Sequence, residues 1–77
     1  MVFEKIQEAL ASQFETDAEK ITRDTEPVGH LGADSLDVTE LIAGLEEEFG
    51  ITVTDESIYE CKTVGEIADF IEKLIDT

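Results

Sequence analysis

Apolar residues recur three or four positions apart in several stretches of the chain, and turn-forming residues separate these stretches. This spacing places the apolar side chains on one face of a helix, so each stretch predicts an amphipathic helix. Residues 16–33 contain Thr, Asp, Pro and Gly instead and predict a long connection. The pattern therefore predicts an all-α protein, a small four-helix bundle with three longer helices, one short helix and a long first loop. The predicted helices span residues 2–15, 34–49, 56–60 and 63–75.

Capping residues set the boundaries of the two later long helices. Asp34, followed three residues later by Asp37, resembles a capping box at the start of the second helix. Gly50 is suited to end that helix in a left-handed conformation. The last helix has a full capping box from Thr63 to Glu66. Both helices thus carry their own start signals.

The segments between the helices need apolar anchors to reach the core. Residues 51–54 alternate like a strand but lack a partner strand, so they predict an extended connector with one apolar side chain turned inward. A connection as long as residues 16–33 is uncommon in a small domain and must be tied down. The apolar residues available to anchor it are Ile21, Val28 and Leu31.

The chain is strongly acidic. Its 77 residues include 20 Asp or Glu and 5 Lys or Arg, giving a net charge of −15. Residues 24–61 contain eleven of the acids and no Lys or Arg, a net of −11. Such charge repels nucleic acid and anionic membranes, and basic protein surfaces are the expected partners. Residues 46–48 place three Glu at a helix C-terminus, where the dipole disfavours anions and the neighbouring sequence offers no base. This favours a docking surface over a merely solvated face.

Length and cysteine count limit the class of protein further. The whole chain, residues 1–77, is long enough for one domain, and its single cysteine permits neither an internal disulfide nor a four-thiolate zinc site. No segment matches a calcium-binding EF-hand loop, so no dedicated metal site is predicted. No apolar run approaches the roughly 18 residues of a membrane span, and the first residues lack a secretory pattern. A cytoplasmic location is the simplest expectation. Cys61 is expected to act as a small buried apolar residue, and Tyr59 could lie at the surface or cover a pocket.

Ser35 is the most informative polar residue. A serine at a helix start often does no more than cap the helix, but here Asp34 already suits that role and leaves the Ser35 hydroxyl free. A phosphate ester at this position would face the unpaired N–H groups of the first turn. His30 lies five residues earlier, so a Ser–His nucleophile pair is the alternative. So short a chain offers little for a shielded cleft, and His30 is expected to be a solvated loop residue.

The segment Leu-Gly-Ala-Asp-Ser-Leu-Asp at residues 31–37 resembles bacterial acyl carrier proteins. The resemblance continues through Glu-Leu at 40–41 and Leu-Glu-Glu-Glu-Phe at 45–49, and more loosely at 55–56 and 63–64. It implies that a phosphopantetheinyl transferase attaches 4′-phosphopantetheine from coenzyme A to Ser35. The thiol of that arm would carry a growing acyl chain as a thioester between fatty-acid synthesis enzymes. The protein itself would not be an enzyme.

The resemblance also implies two further groups of residues. Residues of the second helix would meet Arg and Lys patches on partner enzymes, and these are Asp34, Leu36, Asp37, Glu40, Glu46 and Glu47. A saturated acyl chain should prefer the interior of the bundle to water, because each methylene removed from water contributes about 0.8 kcal/mol. The lining expected from helix faces and from the family is Leu41, Leu45, Val53, Ile58 and Ile67.

Two other functions stay open at this point. The protein could be a specialised carrier for a polyketide, an aminoacyl group or another lipid intermediate. It could also be an acidic interaction module with no prosthetic group. A mass measurement after incubation with a transferase and coenzyme A discriminates the last of these from any carrier.

Overall fold

The computed structural model describes residues 2–76 as a bundle of α-helices with short 3-10 segments in its connections. The predicted all-α class is confirmed, and three of the four α-helices are long. In chain order the α-helices are α1 (Val2–Gln13), α2 (Pro27–Leu31), α3 (Ser35–Phe49) and α4 (Val64–Ile75), and the 3-10 segments are Ala18–Lys20 and Glu56–Glu60. The predicted short helix therefore forms at the predicted residues with 3-10 geometry. Within these residues no helix is both long and apolar enough to cross a bilayer.

Helix α2 lies within residues 16–33, which the sequence predicted to be a long loop without a helix. Pro27 occupies its first turn, where the missing N–H costs nothing, and Gly32 follows it with φ of 73°. One turn of helix is too short to show periodicity, which is why the sequence pattern did not reveal it. The expectation that Val28 anchors this connection is wrong, because Val28 is 63% exposed. The buried residues of positions 16–33 are Ile21, Thr25, Pro27 and Ala33.

The capping signals are confirmed at both α3 and α4. The backbone N–H of Asp37 donates to the Asp34 carboxylate at 2.9 Å, and the Asp34 N–H donates back to Asp37 at 3.1 Å. Thr63 and Glu66 exchange the equivalent bonds at 3.1 and 3.2 Å. Gly50 ends α3 with φ of 64°. Helix α1 ends at Gln13, two residues earlier than predicted.

The core lies where α1 packs against α3 and α4. The extended residues after α3 are fixed by a bond from the Val53 N–H to the Glu46 carboxylate at 2.7 Å, with Val53 half-buried. The connections add Ile21 and Ile58 to the core. The most deeply buried side chains of the long helices are Ile6 and Leu10 of α1, Leu41 and Leu45 of α3, and Val64, Ala68 and Ile71 of α4.

Two ion pairs within residues 2–76 join segments that are distant in sequence. Lys5 of α1 lies 3.0 Å from Glu48 of α3, and this pairing raises the pKa of Lys5. The expectation that residues 46–48 have no base nearby is therefore wrong for Glu48. The first connection is the segment between α1 and α2, residues 14–26. Its Arg23 lies 2.8 Å from Asp69 of α4, so this connection is held against α4.

Candidate functional site

Ser35 is the first residue of α3, and its side chain is exposed. Its hydroxyl makes no hydrogen bond to any group of residues 2–76, because Asp34 performs the capping. The expected free hydroxyl is thus confirmed. Its backbone carbonyl accepts a bond from the Thr39 hydroxyl at 2.8 Å, which fixes the first turn beneath it.

The backbone that leads into Ser35 is held by small residues. Gly32 adopts a left-handed conformation that a larger residue would strain. Ala33 is buried, and its N–H donates to the carbonyl of Pro27 at 3.0 Å. After Ser35 the chain presents Leu36, which is 64% exposed. The hydroxyl is therefore presented from a fixed backbone beside an exposed apolar side chain.

His30 is engaged elsewhere. Its Nδ1 accepts a hydrogen bond from the backbone N–H of Glu26 at 2.9 Å, across the start of α2. The ring thereby supports a helix start in the manner of a capping residue. It is exposed as expected, but it belongs to α2 and not to a loop. This bond accounts for His30 without a nucleophile pair.

The six residues implied for partner recognition differ in what their side chains do. Asp34 and Asp37 bond to each other's backbone, and Asp37 also accepts from the Gln13 side chain at 3.3 Å. Glu46 accepts from Val53. Across residues 2–76, no internal hydrogen bond or ion pair holds the remaining three side chains. They are Leu36, Glu40 and Glu47, and all three are exposed.

The free members of this set share one face of α3. Residues four, seven and eleven positions apart lie within a narrow arc of an α-helix. Ala43, also exposed, continues this arc between the two glutamates. We call this row the α3 stripe, and it consists of Leu36, Glu40, Ala43 and Glu47.

A groove of about 380 Å³ opens between α2, α3 and the segment that precedes α4. Its apolar lining includes Val28 of α2, Val38 of α3 and Ile67 of α4. Val38 is three residues after Ser35, so this α2–α3 groove begins within about one helical turn of the exposed hydroxyl. Cys61 and Tyr59 also line the groove.

A smaller cavity of about 120 Å³ lies further along α3, against the extended residues that follow the helix. Of the five expected acyl-lining residues, Ile67 lines the α2–α3 groove and Val53 lines this second cavity. Leu45 borders a third depression between α1 and α3. Leu41 and Ile58 lie in the closed core, 3% and 2% exposed.

Cys61 is half-buried and faces the groove instead of lying fully in the core. Burial raises the pKa of its thiol, and the nearby carboxylates of Glu66 and Glu60 raise the pKa further. The thiol therefore stays protonated at neutral pH and is a weak nucleophile. Among residues 2–76, no three His, Cys, Asp or Glu side chains are grouped to hold a metal ion.

These features suit an anionic ester with a long substituent. Within residues 2–76 the backbone N–H groups of Ser35 and Leu36 have no acceptor, and such groups at a helix start favour a bound phosphate. The hydroxyl that would carry the ester is free, and an apolar groove lies one turn away. The residues present thus fit a phosphate-linked arm.

Comparison with known proteins agrees with this geometry. Residues 4–71 match the family model described as a phosphopantetheine attachment site. The acyl carrier proteins of Helicobacter pylori strains G27 and HPAG1 are each 46% identical to the chain over 71 residues, covering 92% of this chain and 91% of theirs. The chain therefore belongs to the class of proteins that carry a 4′-phosphopantetheine arm. Within that class, it is a member of the acyl carrier protein family.

Proposed function

We propose that Ser35 is the attachment point of the 4′-phosphopantetheine arm and that the protein carries a growing fatty acyl chain between the enzymes of fatty-acid synthesis. The observation that supports this most directly is the exposed, unbonded hydroxyl at the start of α3. The arm's terminal thiol supplies the thioester linkage. In this proposal the whole chain acts as one carrier domain in the cytoplasm and is not an enzyme.

Each residue around Ser35 has a part in presenting the hydroxyl. Asp34 caps the helix in place of Ser35, so the Oγ atom is left to form the bond to phosphorus. The N–H groups of Ser35 and Leu36 point from the positive end of the helix dipole and stabilise the phosphodiester charge. Gly32 and Ala33 fix the backbone before the helix, so that an approaching transferase meets one conformation.

The α3 stripe is the proposed docking surface for the transferase and the synthesis enzymes. Its two glutamates face solvent and have no partner within residues 2–76, so basic side chains of an enzyme can approach them without first breaking a bond there. Leu36 adds an exposed apolar contact beside Ser35. Surface charge pairs of this kind speed encounter but contribute little to affinity, which suits a carrier that must exchange partners.

Asp34, Asp37 and Glu46 complete this negative surface in the proposal, although their carboxylates also serve the fold. A carboxylate has several acceptor sites, so the one internal bond of Asp34 and of Glu46, and the two of Asp37, leave capacity for an incoming guanidinium. We therefore expect substitutions at these three residues to affect stability as well as binding, and those at Glu40 and Glu47 to affect binding alone.

The α2–α3 groove is the proposed entrance for the acyl chain. It begins near Ser35, and Val28, Val38 and Ile67 give it apolar walls. Of the expected lining residues, Ile67 borders this groove, whereas Leu41, Leu45, Val53 and Ile58 lie beyond it and would contact the acyl chain only if the core or the second cavity admitted further methylenes. Each methylene that leaves water contributes about 0.8 kcal/mol toward this opening.

Intact mass tests the attachment site. Incubation with a phosphopantetheinyl transferase and coenzyme A should add one 4′-phosphopantetheinyl group to the protein and none to Ser35→Ala. Ser57→Ala is the matched control, because Ser57 is also exposed and lies in a short helical segment, and it should be modified normally. Modification of Ser35→Ala, or an unchanged mass of the natural chain, would contradict the proposal. Circular dichroism establishes that both variants are folded.

A further inference from the structure

Tyr59 stands between the two cavities along α3. Among residues 2–76 it alone lines both the α2–α3 groove and the second cavity. Its side chain is half-exposed, while the preceding Ile58 is buried and fixes the 3-10 segment to the core. The backbone that carries the Tyr59 ring is therefore anchored.

The facing residues of α3 show how the cavities are arranged. Val38 lines the groove, whereas Ile42 and Glu46, one and two turns later, line the second cavity. Thr39 also lines the second cavity, so this cavity begins beside the groove and extends along α3 in the direction away from Ser35. The far wall of the second cavity is fixed by the bond between Glu46 and the Val53 N–H.

We propose that the Tyr59 ring is a partition that confines the acyl chain to the α2–α3 groove and so sets the chain length that this carrier shelters from water. This inference rests on the proposed function, since it assumes an acyl chain attached through Ser35. An aromatic ring is large and has few rotatable bonds, which makes it an effective wall. With the ring removed, the groove of about 380 Å³ and the cavity of about 120 Å³ would join into one channel.

The chemistry of the second cavity supports a partition. Thr39, Glu46 and Glu56 contribute polar side chains to it. A methylene that passed beyond the groove in the natural protein would have to displace the ring and then lie beside these groups. Replacement of Tyr59 by a small apolar residue removes the first obstacle and adds apolar space where the ring was.

Thioester protection measures the effect. The protein is loaded with saturated acyl chains of increasing length, and cleavage of the thioester by hydroxylamine is timed. Burial of each methylene should slow cleavage by up to about fourfold. In the natural protein the cleavage rate should stop falling once the acyl chain fills the groove. In Tyr59→Ala the cleavage rate should continue to fall for longer acyl chains. In Tyr59→Phe, which keeps the ring, it should stop falling at the same acyl-chain length as in the natural protein.

A second readout locates the chain directly. Backbone amide chemical shifts of Glu46 and Thr54, which line only the second cavity, should respond to long acyl chains in Tyr59→Ala and not in the natural protein. Long chains that already shift these amides in the natural protein, or equal plateaus for Tyr59→Ala and the natural chain, would overturn the partition. The natural-chain measurement decides this even if Tyr59→Ala does not fold.

The failure of this inference is separable from that of the proposed function. Intact mass of each loaded sample shows whether the arm and the acyl group are present on Ser35, and their absence would count against the proposed function. Loaded protein whose thioester is cleaved at one rate for every chain length would count against the partition, with the carrier role intact.

Discussion

Helices α3 and α4 begin with the same local device and differ in what lies next to it. In both, a capping box satisfies two backbone N–H groups. At α4 the next two N–H groups, of Val64 and Gly65, donate to the carbonyls of Thr25 and Arg23 at 2.9 and 2.8 Å. At α3 the equivalent groups, of Ser35 and Leu36, find no acceptor in the part of the chain that the structure describes. One start is closed by the first connection, and the other is open.

This difference shows that a capping box fixes where a helix begins but not whether that end can bind anything. The first connection seals α4 through Arg23, which also lies 2.8 Å from Asp69 and 5.8 Å above the Phe3 ring. In the described part of the chain, residues 2–76, no comparable segment covers the start of α3, whose first residue is exposed. The open start is the one that bears the attachment serine in our proposal.

The start of α4, which the first connection covers, should tolerate an added side-chain atom less well than the open start of α3. A Cβ at Gly65 would lie 3.0 Å from the Arg23 carbonyl, which is held by its own bond to the Gly65 N–H. We expect Gly65→Ala to lower the free energy of unfolding by about 2 kcal/mol, as overpacking does elsewhere. Chemical denaturation measures this.

Gly44→Ala is the control for Gly65→Ala. A Cβ at Gly44 would meet nothing within 4 Å, and replacing a mid-helix glycine by alanine stabilises by about 1 kcal/mol. Equal effects of the two substitutions would mean that the α4 start is not closed in the way described.

The open start should be the more sensitive to charge. Reversal of Glu40 and Glu47 together to Lys should slow association with a basic partner enzyme by roughly tenfold at low salt, because it removes electrostatic steering. The double substitution Glu19→Lys and Glu72→Lys changes the net charge equally at exposed positions outside the α3 stripe and should have a much smaller effect. Stopped-flow measurement at several salt concentrations compares them. Equal slowing by both pairs would show that total charge acts and not the stripe.

The α4 cap should affect stability without affecting the arm. Thr63→Ala removes the hydroxyl that accepts from the Glu66 N–H, at a cost of about 1 kcal/mol. Thr63→Ser keeps the hydroxyl and should stay close to the natural stability. Addition of the phosphopantetheine group should proceed normally in both folded variants. A slower addition in Thr63→Ala would mean that the two helix starts are coupled.

The sequence could predict the features that depend on residues close together along the chain. Spacing and capping residues were sufficient for α3 and α4, and the free hydroxyl of Ser35 followed from having Asp34 beside it. Helix α2 was missed, although Pro27 and Gly32 are the residues expected at its two ends. These signals could have found it, but the same residues are equally typical of a turn.

What the sequence could not predict depends on contacts between distant residues. The partner of Glu48 is Lys5, which precedes it by 43 positions, so a base absent from the local sequence is present in space. The division of the acidic residues into bonded and free ones depends likewise on where Val53 and Gln13 come to lie. The positions of the cavities depend on how α2 and the residues before α4 pack, which no single helix pattern specifies.

The smallest expected effect is the pH dependence of protein stability that arises from Glu66 at the start of α4. Bonds from the backbone N–H groups of Thr63 and Lys62 hold the pKa of Glu66 below its ordinary value of 4.5. A carboxylate with a lowered pKa in the folded state stabilises the protein above the unfolded pKa, and this is lost as the pH falls through the folded value. Below pH 4.5 the natural protein should therefore lose stability relative to Glu66→Gln.

Thermal melts across this acidic range compare Glu66→Gln with the natural chain, and Glu72→Gln controls for the loss of one negative charge on the same helix. The effect should be slight, because Glu66 is exposed to solvent and its interactions are screened. If the melting temperatures of Glu66→Gln and the natural protein change equally with pH, the Glu66 carboxylate has the same pKa in the folded and unfolded states. The closed start would then owe its stability to the bonds of Val64 and Gly65 with the first connection.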